Sequence, residues 1–282
     1  MSARVVRRRA GRVPFIVGAV LVGLAVAAAL LSLVWTPMDP TATDAINRLQ
    51  GPSAAHPLGT DTLGHDVASQ LLAGARPPLL VGVGAVAISF ALGLPYGLLA
   101  ALAADWWRVR WVDTLLMRAS DVAQAFPALL LAIVLAAVYG GGTVTATVAL
   151  GIGAAPGVAR IVRSGARQVL SREYALAARA SGRGAWFTAV RHVLPNIRGG
   201  LAVQATVGFA MAVLAEAGLS YLGLGTAAPA PSWGRLLQES QGSIYVQPLL
   251  VVWPALAIGL TVLGLTLLGD GLRDRFDARE EA

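Results

Sequence analysis

Neither cysteine nor lysine occurs in this 282-residue chain. Without cysteine there is no disulfide, no thiol nucleophile and no thiolate zinc site. Without lysine all 22 basic residues are arginine, so a phosphate-binding loop of the G-x-x-x-x-G-K-[ST] type and a Schiff-base lysine are both excluded. Any ATP that powers this protein is therefore hydrolysed on another chain. Charge is scarce as well: 13% of residues are charged against 56% hydrophobic, too few polar side chains to cover a soluble globule of this length. A bilayer is the expected solvent. The formal net charge of +7 does not point to nucleic acid, because the arginines sit in short clusters between apolar runs and build no basic surface with interleaved aromatics.

A helix needs about 20 apolar residues to cross the roughly 30 Å hydrocarbon core. Charge-free stretches of that kind run from Phe15 to Met38, Pro77 to Ala104, Val122 to Ala159, Gly199 to Gly225 (interrupted by Glu216) and Ser240 to Gly269. The third is too long for one crossing, and Tyr139-Gly140-Gly141-Gly142 divides it at a membrane surface. Six spans result, giving an all-α, polytopic membrane helical bundle. The first is too long for a signal-peptide core of about 7 to 15 residues, and it ends at Trp35 and Pro37 like an interfacial belt. With both termini in the cytoplasm, all but Arg48, Arg76 and Arg235 of the 22 arginines fall inside, including Arg4, Arg7, Arg8, Arg9 and Arg12 at the start and Arg273, Arg275 and Arg279 at the end.

Arg160 to Arg198 is the longest inside segment, and its composition predicts helix. Ala175, Ala177, Ala178 and Ala180 are strong helix formers, Glu173 stands near a helix start, and Gly182 to Gly184 breaks the chain before a second short helix through Trp186 and Phe187. Small residues on one side with arginines around them suit docking against another protein. Glu216 is ionisable within an apolar run, a position that suggests function, although its place near the outer end of span five also suits a structural contact with backbone amides of the external loop. Asp121 and Gln124 read as interfacial or interhelical contacts. His56, His65 and His192 lie outside the spans on opposite sides of the membrane, so they do not converge on one metal. Ser220 resembles an intramembrane-protease serine only in its setting, for no histidine at membrane depth can serve as its base. Glycine and alanine in the spans indicate close helix packing, and Pro95, Pro127, Pro156 and Pro254 are expected to kink spans.

The same inside segment carries a family resemblance. Leu176-Ala177-Ala178, three residues, Gly182, nine residues, then His192-Val193-Leu194-Pro195 resembles the E-A-A, G, I-x-L-P signature of ABC importer permeases. Leu176 stands in place of the glutamate and His192 in place of the isoleucine. Arg191-His192-Val193-Leu194-Pro195-Asn196 resembles the peptide and nickel branch of that family, as does Glu173 within Arg172-Glu173-Tyr174. The match extends from His56-Pro57-Leu58-Gly59-Thr60-Asp61 and Gly64-His65-Asp66-Val67 through Leu219-Ser220-Tyr221-Leu222-Gly223-Leu224-Gly225 and Pro231-Ser232-Trp233-Gly234 to Gly269-Asp270-Gly271-Leu272-Arg273-Asp274.

This resemblance implies an ABC type I importer permease fold and the second permease subunit of a binding-protein-dependent importer in a prokaryotic inner membrane. Residues 1–72 would hold the cytoplasmic N-terminus, first span and external segment, 73–270 the permease core with a coupling loop at about 160–198, and 271–282 a cytoplasmic tail. The implied partners are a homologous permease, two ATP-binding subunits and an extracytoplasmic solute-binding protein, with no cofactor in this chain and ATP and Mg on the ATPases. Contact with the ATPase would fall to Glu173, Tyr174, Ala177, Ala178, Arg179, Gly182, Trp186 and Phe187. Di- or oligopeptides are the leading cargo and nickel the alternative. An ion-coupled secondary transporter would need several ionisable groups near the midplane, where the spans offer little beyond Glu216, and a membrane enzyme would need convergent catalytic groups that are missing.

Overall fold

Backbone groups in hydrocarbon find no water to bond, so a chain this apolar must satisfy them within helices. In the computed structural model, which describes residues 12–280, there is no strand among the described residues; the sole sheet-like pairing is a bridge between Thr60 and Asp66. Arg4, Arg7, Arg8 and Arg9 lie outside the described residues.

Helix α1, Arg12–Leu31, has 20 residues and reaches about 30 Å. It stops short of the expected Met38 because the chain enters turns at Ser32, whose hydroxyl donates to the Ala29 carbonyl at 2.7 Å. Helix α2, Val67–Ala73, is capped by the Asp66 carboxylate, which accepts from the Ser69 amide. Helix α3, Arg76–Ala101, continues into a π turn, Leu102–Trp106. There follow α4 (Arg110–Ala125), α5 (Ala128–Tyr139) and α6 (Thr143–Leu170). Two short helices, α7 (Glu173–Ala180) and α8 (Ala185–Thr188), lead through a second π turn, Ala189–Val193, into α9 (Leu194–Tyr221). Helix α10 (Trp233–Ser240) precedes the last and longest, α11 (Leu249–Glu280).

Five helical segments are long and apolar enough to cross a bilayer, and α4 with α5 makes a sixth when that bent pair counts as one span. The third span is thus not the continuous helix expected from Val122. The pair bends by 71° at Phe126 and Pro127. Proline disfavours helical dihedrals in the residue before it, and Phe126 is extended at φ −86°, ψ 116°. The 12 residues of α5 cover only about 18 Å, so the bend and flanking chain complete the crossing. The expected break at Gly140 to Gly142 does separate α5 from α6, with Gly140 at φ +87°. Pro95, Pro156 and Pro254 sit inside α3, α6 and α11, which remain continuous through them.

Lipid supplies no hydrophobic drive for helices to associate, so backbone approach through small residues has to supply the packing. Helices α3 and α6 make the most extensive pairing of the bundle. A Cβ on Gly93 would lie 2.6 Å from the Ala155 carbonyl oxygen, and one on Gly97 would overlap the Ala159 carbonyl. Helices α1 and α11 meet similarly, where a Cβ on Gly18 would come 2.5 Å from the Leu268 amide nitrogen. Near α7 the core is Leu98, Leu102, Val158, Val162, Ala166, Val169, Ala189 and Val193; at the opposite end Ala25, Ala75, Leu79, Ala217, Trp233 and Ile258 pack together.

Between α1 and α2 the chain folds into a cap rather than a loose loop. His56 Nδ1 lies 3.1 Å from Asp66 and His65 Nδ1 2.7 Å from Asp61, so each histidine is absorbed by a carboxylate. Hydrogen bonds from the Asn47 side chain and the Ile46 amide hold the Asp44 carboxyl below its ordinary pKa. Gln247 donates across to the Gln50 carbonyl at 2.7 Å, joining the cap to the chain before α11. The α3–α6 seam gives a direct test. Gly97→Ala should destabilise the protein by about 1–3 kcal/mol through overpacking, whereas Gly259→Ala, with open space around it, should be neutral or slightly stabilising. Thermal unfolding of the purified variants checks this, and equal melting temperatures would refute the tight seam.

Candidate functional site

The arginines that follow Ala159 do not begin a loop. They extend α6 to Leu170, with Arg160, Arg163 and Arg167 at helical spacing on one side. Each meets an aspartate from the chain between α3 and α5. Arg160 donates to Asp121 at 2.8 Å, Arg163 makes a two-pronged contact with Asp113, its Nη2 2.6 Å from Oδ2, and Arg167 bonds both oxygens of Asp105 at 2.9 and 3.2 Å. The planar fork of arginine matches a carboxylate, which makes such two-pronged pairs the stronger and more directional kind. The Arg163–Asp113 pair is also the most buried of the three, with the two side chains 24% and 9% exposed. Asp121 is thus the interhelical contact that its sequence position suggested, and α4 is a polar, amphipathic helix clamped against the extension of α6.

Helix α7 is fixed to this frame from below. Arg179 donates to the Asp105 carbonyl oxygen at 3.0 Å and its guanidinium lies 5.2 Å from the Trp106 ring centroid. Ala175 is buried on the same side. Glu173 occupies the first turn of α7, where a negative charge complements the helix dipole. Gly182 adopts φ +75°, a left-handed conformation that closes α7 and turns the chain toward α8. The two short helices and the break between them therefore form where composition placed them.

Of the eight residues expected to meet the ATPase, Tyr174, Ala177, Trp186 and Phe187 are exposed, as are Glu173 and Gly182. Trp186 is 61% exposed, a large aromatic surface on a four-residue helix. Tyr174 and Phe187 come together over His192, with ring centroids 5.9 and 6.2 Å from the imidazole, and Arg183 lies 4.9 Å from the Phe187 ring. Arg179 faces the other way, onto Trp106, and Ala178 is half-buried. Sequence reasoning missed Leu176 and Val190, which add exposed apolar surface, and it missed Asp105 and Trp106 as anchors. The helical spacing of Arg160, Arg163 and Arg167 was the one available signal that α6 continues.

Glu216 belongs to a separate place at the far end of α9. It is fully buried, and its Oε1 accepts from the Ser220 hydroxyl at 2.7 Å and the Thr226 hydroxyl at 3.1 Å. The backbone amide expected as its donor, that of Thr226, goes instead to Ser220 Oγ at 3.0 Å. Close approach of Gly225 to Ser220 makes this possible, since a Cβ there would overlap the serine hydroxyl. The arrangement ties the chain after α9 to the helix itself.

Comparison with known proteins agrees with this geometry. A profile of the family described as binding-protein-dependent transport system inner membrane component matches residues 93–281. The dipeptide transport system permease protein DppC of Alkalihalophilus pseudofirmus is 38% identical over 264 residues, 94% of this chain and 85% of its own. The glutathione transport system permease protein GsiD of Pectobacterium atrosepticum is 39% identical over 230 residues, 82% of this chain and 75% of its own. An inward-facing structure of the MetNI methionine ABC transporter shares the fold, with a TM-score of 0.59 at 22% identity over 73% of this chain and 96% of that one. The chain belongs to the binding-protein-dependent transport system inner membrane components, as a multi-pass ABC importer permease of the inner membrane.

Proposed function

We propose that this chain is one of two permease subunits that enclose the translocation path of an ATP-driven peptide importer. In this reading both termini and the α7–α8 segment face the cytoplasm, two separate ATPases bind ATP and Mg, and an extracytoplasmic solute-binding protein delivers the cargo. The observation that carries it is the exposed aromatic and apolar face of Tyr174, Leu176, Trp186, Phe187 and Val190 on helices too short to stand alone yet firmly anchored. Exposed clusters of this kind mark protein contacts. Relatives named for dipeptides and for glutathione, itself a short peptide, support peptide cargo, and the nickel alternative is set aside on that ground. Against an ion-coupled transporter, the buried Glu216 is bonded within its own helix end rather than lining an ion path with other acids.

Closure of the ATPases on ATP would draw the two coupling segments together. Through Arg179 on Asp105 and Trp106, and through the arginine–aspartate pairs of α6, that displacement would reach α3, α4 and α6 as a unit and open the path outward. Hydrolysis would reset it. The cycle requires the conformations to differ in affinity for nucleotide and cargo, since a ligand shifts an equilibrium only by its differential binding.

Gly182 has open space around it in this chain, so a large side chain there would clash only with a docked partner. Gly182→Arg should insert into the membrane but lose co-purification with the ATPase, while Gly182→Asn, which tolerates the left-handed backbone, should keep it; normal co-purification of the arginine variant would refute the docking face. Removing the clamp tests transmission separately. Asp113→Asn leaves the docking face intact and should retain the ATPase yet lower peptide uptake per ATP hydrolysed, measured in proteoliposomes; an unchanged ratio would show that the Arg163–Asp113 pair carries no coupling.

A further inference from the structure

A cavity of about 410 Å³ opens between the π turn after α3, the end of α6 and the underside of α7. Four arginines line it, Arg108, Arg110, Arg167 and Arg179, together with one carboxylate, Asp105. That carboxylate is already engaged by Arg167, and Arg179 bonds only a carbonyl oxygen and the Trp106 ring. Arg108, Arg110 and Arg179 have no carboxylate partner among the described residues. Three uncompensated guanidinium groups around one cavity repel one another unless an anion joins them. The rest of the wall is apolar, from Ala104, Leu170, Ala175 and Leu176.

The depth of the cavity identifies the anion. Helix α3 has 26 residues from Arg76, about 39 Å, which places its end in the headgroup layer of a bilayer about 40–45 Å thick overall. Trp107 and Trp111 beside the cavity are 50% and 69% exposed, as interfacial tryptophans are. We infer that the cavity of Arg108, Arg110 and Arg179 binds the phosphate of an anionic phospholipid headgroup, with Ala104, Leu170 and Leu176 against its glycerol and upper chain. Arginine forks match phosphate oxygens in pairs, and basic pockets at this level of a membrane hold anionic headgroups. Placement in the inner leaflet rests on the orientation proposed above; binding itself does not. Because the cavity backs onto α7, a bound lipid would brace the coupling segment from the side opposite its exposed aromatic face.

Arg108 sits at φ +62°, a left-handed conformation that asparagine tolerates, so Arg108→Asn removes charge without adding backbone strain. The test compares the wild-type importer complex with the Arg108→Asn, Arg110→Gln double variant, titrating phosphatidylglycerol against phosphatidylcholine and counting bound lipid by native mass spectrometry. Loss of two arginines should weaken phosphatidylglycerol binding about thirtyfold, leaving phosphatidylcholine unaffected and the ATPase subunits still attached. Excess inorganic phosphate should not displace the lipid from the wild type. Equal phosphatidylglycerol retention by both proteins overturns the inference, as does displacement by free phosphate, which would make this a soluble-anion site. Loss of the ATPase without loss of lipid would instead mark the arginines as partner contacts and also overturn it. Since lipid counting does not depend on ATPase docking, failure of the coupling reading leaves this result separately readable.

Discussion

Asp105 joins three elements with two different groups. Its carboxylate holds Arg167 at the end of α6 and its carbonyl oxygen holds Arg179 of α7, while the residue itself lies in the π turn that ends α3. A single exposed ion pair contributes little to stability. Here the pair is one of three along α6, and it is coupled to a cation–π contact at Trp106, so its effect is directional more than energetic. A π turn tightens and redirects a helix end by one extra residue per turn, and such turns recur at functional sites. Both π turns of this protein flank α7 and α8, one beneath the Arg179 anchor and one leading into α9.

The apolar bundle and the charged frame follow different physics and meet at one boundary. Within the bilayer, glycine and alanine bring α3 and α6 into backbone contact, which dispersion and close packing stabilise without any hydrophobic drive. Beyond it, the same two helices continue into water, where arginine and aspartate take over from the small residues. The cluster of Leu98, Leu102, Val162, Ala166 and Val169 bridges the change, with Ala189 and Val193 of the loop packed into it. A push on α7 therefore meets no soft joint before it reaches the spans.

Much of this was legible in the residues. Helix formers at Ala175 to Ala180 and the glycines at 182 and 184 placed α7, its end and α8, because local propensity and left-handed backbone demands are properties of the segment itself. The bend at Phe126 was not, since the charge-free run from Val122 masks a helix that changes direction; only Pro127 signalled it. The continuation of α6 through Arg160, Arg163 and Arg167 was hidden because charge density resembles a loop until the partners are known. Those partners, Asp121, Asp113 and Asp105, are distant in sequence and pair in an order that one chain alone does not reveal. Likewise Glu216 read as a buried carboxylate, while its donors, two hydroxyls brought round by Gly225, depended on a turn that had to be seen.

The central claim is that the anchored α7–α8 segment faces the compartment that holds ATP. The absence of native cysteine allows this to be measured with one introduced thiol, at the exposed Ala177. In intact cells an Ala177→Cys protein should resist a membrane-impermeant maleimide and react only after permeabilisation. Labelling from outside intact cells would contradict the account.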